Sequence, residues 1–311
     1  MFNLPDFYSD KQVGQVYAAD VSKAIEMGKK SGWGSSIRDK KRIALLSVDP
    51  QIDFVHADGS LSVPGAIDDM KRLINLVYRE GHRITSTIMT IDTHHPLMIF
   101  FPTWWVDKDG NQPAPFTIIS KEDIDKGVWR AVIDPAWSYK YVSQLAKAGK
   151  KQLMIWPYHC MDGSLGICIV PPLLEAVMFH SGARYNQPTF VHKGHIPRTE
   201  FYSPLCPEVE VPNVPGGTIN KPILDILASH DEIWVAGEAK SHCVLEAMNT
   251  LVGYFAQSQP EVLGKIFFLM DCTSSVFHPQ VDFESIAQTE LKKMEKNHGI
   301  KLIKSTDLFI S

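Results

Sequence analysis

No stretch of this 311-residue sequence is basic enough to follow a phosphate backbone, since 31 Lys and Arg are dispersed against 35 Asp and Glu for a formal net charge of −4. Binding to nucleic acid rests on neutralising several phosphates at once, so nucleic acid is not an expected partner. Long apolar runs are missing too, and none approaches the roughly 20 residues a helix needs to cross a bilayer. The amino-terminal "MFNLPDFYSDKQVGQVYAAD" lacks a basic segment followed by an apolar core. The expectation is a soluble, cytoplasmic protein with no membrane partner. Cysteine is scarce. The five residues at 160, 168, 206, 243 and 272 are odd in number and scattered, in a chain large enough to need no disulfide staples, which predicts free thiols. There is no internal repeat and no low-complexity segment.

What is present is a regular alternation. Short apolar or β-branched runs, "RIALLSVD" (42–49), "RITSTIMTID" (83–92), "QLMIW" (152–156), "TFVHK" (189–193), "EIWVAG" (232–237) and "KIFFLMD" (265–271), are separated by helical patterns. Those patterns fall near 65–80, 136–149, 171–182, 219–229, 242–257 and 280–298. Strands alternating with helices predict a parallel sheet with crossover helices, in one α/β domain. The division expected is a helical extension over 1–40, with an amphipathic helix at 11–30, then a domain over 41–311. Two stretches read as insertions, 100–132 and the proline-rich 204–217, and long excursions of this kind build or cover sites.

In an open parallel sheet, ligands bind beyond the carboxyl ends of the strands. Asp49 of "SVDPQIDF", Asp92 and His94 of "TIDTHHP", His159 of "WPYHC", Lys193 and Cys243 all fall there. Each alone has an ordinary explanation: Asp49 as the cap of the Pro50 turn, Lys193 as a solvated strand end, Cys243 as a small core residue, His159 as a hydrogen-bonded loop residue. Their coincidence at one edge favours chemistry. Cys243 sits at a helix start, where the dipole and a nearby Lys193 favour thiolate, and Asp49 can accept its proton. Cys243 is therefore expected to be the most reactive of the five thiols. Backbone N–H groups of Ala239 and Cys243 can hold an oxyanion, which points to an amidase or related hydrolase. Asp92 and His94, two apart on a strand, face one way, and His159 adds a third ligand with positions left open. That set suits zinc or another borderline divalent metal such as iron or manganese.

At these residues the sequence resembles the isochorismatase-like cysteine hydrolases, in particular their nicotinamidase branch, over about 41–305. The carrying segments are "SVDPQIDFVHADGSLSVPGA", "DTHHP" with "WPYHC", "VHKGHIPRTEFYS" and "GEAKSHCV". The resemblance implies a three-layer α/β/α fold with a mostly parallel six-stranded sheet, and a catalytic trio of Asp49, Lys193 and Cys243. It implies ring-packing walls at Phe54 and Trp156, metal ligands at Asp92, His94 and His159, and a cis peptide before Ala239. The reaction implied is hydrolysis of nicotinamide to nicotinate and ammonia through a thioester, with the metal holding the pyridine nitrogen. Three departures stand out: "LMIFF" follows Pro96 where the family supplies a further histidine, His95 is an alternative ligand to His94, and Lys240 precedes "SHC". The rival readings are an amidase for a larger or non-aromatic amide, admitted by the "FFPTWW" insertion, and a catalytically silent binding member of the fold. A small-molecule amide is the expected partner, and self-association is left open.

Overall fold

The structure, a computed structural model, describes residues 4–309. Its centre is a six-stranded sheet made of β1 (Ile43–Val48), β2 (Ser86–Asp92), β3 (Thr189–Lys193), β4 (Glu232–Gly237), β5 (Ile266–Leu269) and β6 (Lys301–Ile303). The order is β6-β5-β4-β1-β2-β3 and every pair is parallel. The chain therefore builds outward from β1 in one direction, then returns to its other side with β4. That reversal opens a crevice between β1 and β4 at their carboxyl ends. Register places Val48 beside Gly237, and Asp92 beside Lys193 on the other flank.

Strand residues alternate between two cores, as a pleated sheet covered on both faces requires. Ile43 and Leu45 join one core with α2 (Ile52–Val55), α3 (Ala66–Glu80) and α5 (Pro171–Arg184), whereas Ala44, Leu46 and Val48 join the other with α4 (Pro135–Ala148), α6 (Lys221–Ala228), α7 (Leu245–Ser258) and α8 (Phe283–His298). The amino-terminal helix is shorter than its pattern, running as α1 (Val21–Lys29) with the Asp20 side chain capping the Lys23 N–H at 3.0 Å. It lies tightly across α5. A Cβ on Gly28 would fall 2.1 Å from the Phe179 carbonyl oxygen, and one on Gly182 would fall 2.3 Å from that of Ile25, so only hydrogen fits at either position. No helix among the described residues is long and apolar enough to cross a membrane.

One strand differs from expectation. The run at 152–156 stays outside the central sheet, where Leu153–Met154 pairs antiparallel with Ile118–Ile119 of the first insertion. β3 takes the place beside β2, and the sixth strand comes instead from the short, half-polar Lys301–Ile303. An apolar pentad fits any partly buried extended segment, so its period says nothing about which partner it pairs with.

Candidate active site

Four side chains meet at the carboxyl ends of β1 to β4. Asp49 follows β1 in the left-handed region at φ 44°, a conformation that Asp tolerates better than most residues. Thr90 of β2 holds it twice, donating its hydroxyl to the carboxylate at 2.5 Å and accepting the Asp49 N–H at 3.0 Å. Lys193, at the end of β3 and only 2 % exposed, is the hub. Its Nζ lies 2.9 Å from Asp49 Oδ2, 3.0 Å from Asp92 Oδ1, 3.6 Å from Cys243 Sγ and 2.7 Å from the Phe201 carbonyl oxygen. Burial favours the neutral amine, but the two carboxylates and the cysteine raise its pKa well above the usual lysine value.

Cys243 lies within a five-residue π-helical turn, Lys240–Val244, that leads into α7. The wider turn is closed by the Val244 N–H on the Ala239 carbonyl at 3.1 Å. Burial first, and then Asp49 and Asp92, push the thiol well above its ordinary range against the opposing pull of Lys193. A helix start favours negative charge, but two buried carboxylates in the same site outweigh it. The thiol thus needs an acceptor as it reacts, and Asp49, itself raised by burial, stands beside it. The Glu238–Ala239 peptide is cis. The Ala239 N–H donates to no group among the described residues, while its neighbours are engaged, Glu238 N–H on Val48 and Lys240 N–H on Ser274.

Asp92, His94 and His159 form the cluster in this region with ligand atoms all within 4.8 Å of one another, each buried. His94 turns Nδ1 to the Gly194 carbonyl at 3.0 Å, and His159 turns its own to the Pro157 carbonyl at 2.8 Å. A carbonyl accepts only a proton-bearing nitrogen, so both rings direct Nε2 inward, to 2.9 Å and 3.8 Å from Asp92 Oδ2. Two imidazole nitrogens and a carboxylate oxygen converge, and positive charge there, a proton or a metal ion, stabilises the arrangement. The donor set, one carboxylate and two imidazoles, fits a borderline divalent metal. Burial would lower the His94 pKa, yet Asp92 raises it overall, and Asp92 itself is held well below the ordinary carboxylate range against its burial by His94 and Lys193. His95, the alternative ligand, is exposed and outside the cluster.

A pocket beside the thiol is walled by Phe54, Leu61, Trp156, Tyr202, His242 and Val276, and Cys243, Ala239, Asp92, His159 and Glu200 also line it. Its free volume is about 20 Å3. The walls are braced edge-to-face, Phe54 on His159 at 5.6 Å and Trp156 on His242 at 5.3 Å. Trp104 and Trp105 of the insertion do not line it. They are buried in the core, their indole N–H groups on Ser138 and the Ile99 carbonyl.

Sequence comparison finds 25 % identity over 206 residues with the nicotinamidase of Saccharomyces cerevisiae, covering 64 % of this chain and 76 % of that protein. No protein-family model matches the chain. Among solved structures, the yeast nicotinamidase Pnc1p bound to the inhibitor nicotinaldehyde superposes with a TM-score of 0.56 at 18 % identity, over 84 % of this chain and 99 % of that one. This chain has the nicotinamidase fold. The nicotinamidase pyrazinamidase of Acinetobacter baumanii agrees, with a TM-score of 0.54 at 18 % identity over 86 % and 97 % of the two chains.

Within this nicotinamidase fold several residues that shape the site escaped the reading of the sequence. Gln51, fully buried, clamps the backbone of Asp92 from both sides, donating to its carbonyl at 2.8 Å and accepting its N–H at 2.7 Å, with a further bond to the Ile167 carbonyl at 2.9 Å. Asp53 accepts the Cys160 N–H at 2.7 Å and the Ser60 N–H at 3.1 Å, tying down the loop that carries His159. Both belong to "DPQIDF", so polar residues spaced by two after a strand end were the available signal. Phe100 and Phe101 stand edge-on to His94 at 4.8 and 5.7 Å. These rings give His94 an apolar backing. Glu200, raised to about 7 by burial and by the nearby Asp92, supplies an additional carboxyl to the pocket lining.

Proposed function

We propose that this chain is a cysteine amidohydrolase that converts nicotinamide and water to nicotinate and ammonia. The observation carrying the proposal is the single buried ammonium of Lys193 in contact with Asp49, Asp92 and Cys243. One cation joins a proton acceptor, a thiol and the cluster that would bind the ring. The sequence likeness to a nicotinamidase supports the choice of amide.

In the proposed reaction the substrate ring lies among Phe54, Trp156 and Tyr202 with its carboxamide against Cys243. Asp49 removes the thiol proton as sulfur attacks the carboxamide carbon, and negative charge moves to the carbonyl oxygen. The N–H groups of Ala239 and Cys243 hold that oxyanion, a kind of stabilisation worth roughly 2.7–4 kcal/mol per donor in other enzymes. As the intermediate collapses, the C–N bond breaks and Asp49 returns the proton to the leaving nitrogen, releasing ammonia. Asp49 then deprotonates water as it attacks the thioester, the C–S bond breaks, and the proton goes back to sulfur. Lys193 keeps its charge throughout and stabilises each anionic form beside it. Asp92, His94 and His159 would hold a divalent cation, zinc first, which would supply a Lewis-acidic anchor for the pyridine nitrogen.

Trp104 and Trp105 of the insertion invoked by the larger-amide reading are buried in the core and do not line the pocket, which favours the smaller amide. The test is ammonia release from nicotinamide, measured with and without a chelator and repeated with Cys243→Ala. Hydrolysis lost in Cys243→Ala supports the proposal. Absence of hydrolysis by the metal-loaded wild type sinks it.

A further inference from the structure

On the far side of the Ala239 turn from the pocket lies a pair of acidic side chains with no role in the chemistry above. Glu238 is fully buried and Asp69 of α3 is 1 % exposed. Each has one oxygen accounted for: Glu238 Oε2 accepts the Ser274 N–H at 3.3 Å, and Asp69 Oδ1 faces Arg72 Nη2 at 2.8 Å. The remaining two, Glu238 Oε1 and Asp69 Oδ2, are buried without a hydrogen bond of regular geometry, and the neutral hydroxyl of Ser274 stands beside Asp69. The two side chains interact with each other directly. Two carboxylate oxygens cannot be left together in a dry interior, because each repels the other and neither is solvated.

The charges around them leave one excess. On α3, Arg72 neutralises Asp69. On the turn itself, Lys240 is committed to Glu284 at 2.8 Å. From the loop after β5, Asp271 and the Cys272 thiol add only negative or neutral groups. Lys240 acts on Glu238 only at a distance, as its ammonium is paired with Glu284, so no cation is in contact with Glu238. We propose that Glu238 is a positioning residue, carrying a proton that it shares with Asp69, and that this acid pair anchors from behind the turn that presents the Ala239 N–H to the reacting carbonyl. The positioning half rests on the amidase reading; the shared proton does not.

The geometry is consistent with an anchor. Ser274 grips the same turn at two points, through its N–H to Glu238 and its carbonyl to Lys240. Gly65, at φ 98°, lets the Ser274 hydroxyl approach, since a Cβ there would meet it at 2.5 Å. The turn is thus pinned to α3 through side chains and to the Ser274 loop through backbone. Burial, then Asp69, raises Glu238 well above the usual carboxyl range, in the direction the shared proton requires.

The sign of the pH effect follows. Unfolded Glu and Asp lose their protons near pH 4, whereas the folded pair keeps one. Stability contributed by that proton is full below the unfolded pKa and declines as pH rises toward the folded one. The experiment follows melting temperature from pH 5 to 9 for wild type, Glu238→Gln and Asp69→Asn, with kcat and KM on nicotinamide for wild type, Glu238→Gln and Glu238→Ala. Each amide supplies the bridging donor permanently, so both amide variants should show a flatter fall with pH than wild type. Glu238→Gln should keep kcat within about threefold, and Glu238→Ala should lose at least tenfold in kcat with KM within about threefold. Identical pH slopes in wild type and both amide variants would overturn the shared proton. A Glu238→Gln as slow as Glu238→Ala, or a Glu238→Ala as fast as wild type, would overturn the positioning role. If wild type hydrolyses no nicotinamide, the amidase reading fails and takes the positioning role with it, while the melting curves still decide the pair. Should either amide variant not fold, the other carries the comparison.

Discussion

Replacing Asp49 by Asn separates the proton acceptor from the turn that holds it. The substitution changes one atom. Asn keeps an oxygen for Lys193 or Thr90 and tolerates the left-handed backbone at φ 44°. Lys193 retains Asp92 at 3.0 Å, so the ammonium stays paired and the interior is not left with an isolated charge. The stability lost should therefore be that of one charge-assisted contact, on the order of 1.5–3 kcal/mol, and the protein should remain folded. Turnover should respond differently. Because burial and two carboxylates hold the Cys243 thiol well above its ordinary range, thiolate cannot accumulate on its own near neutral pH. Loss of the acceptor should lower kcat by about 10²–10⁴, or roughly 2.7–5.4 kcal/mol in barrier at 1.36 kcal/mol per tenfold. Ammonia release gives the rate, and circular dichroism with a melting curve reports the fold. A folded Asp49→Asn protein with kcat within tenfold of wild type would show that Asp49 merely caps its turn.

His159→Ala should abolish bound divalent metal, read by elemental analysis, and raise KM for nicotinamide more than it changes the alkylation of Cys243. Gln51→Leu removes three bonds to backbone groups of Asp92 and Ile167. With those buried groups left unsatisfied at about 1–3 kcal/mol each, it should lower both the melting temperature and the metal affinity; an unchanged metal affinity would show that Asp92 needs no clamp. Iodoacetamide should label the exposed Cys168 before Cys243, with activity retained. Inactivation should follow the later labelling of Cys243 and be slowed by nicotinamide, as peptide mapping against residual activity would reveal.

Much of this molecule was open to a reader of the sequence because it is local. Period and length placed five of the six central strands and every major helix after residue 60 to within a few residues, since pleat and helical turn repeat along the chain itself. Motif segments at strand ends also nominated Asp49, Asp92, His94, His159, Lys193 and Cys243, which the fold brings to one edge. Partnerships were not open in this way. That 152–156 leaves the sheet and 301–303 completes it depends on which neighbour offers free backbone groups, and apolar pentads do not encode that. Gln51 reads as a turn residue until Asp92 is laid beside it. The "FFPTWW" insertion reads as a stretch that could reshape the pocket until Ser138 and Ile99 claim the N–H groups of Trp104 and Trp105. The charge state of Cys243 depended most on the tertiary structure. Its position in the chain shows a helix start, which favours thiolate, but desolvation and like charge are sums over every atom packed around it. For Cys243, burial and the carboxylates of Asp49 and Asp92 raise the thiol against the pull of Lys193.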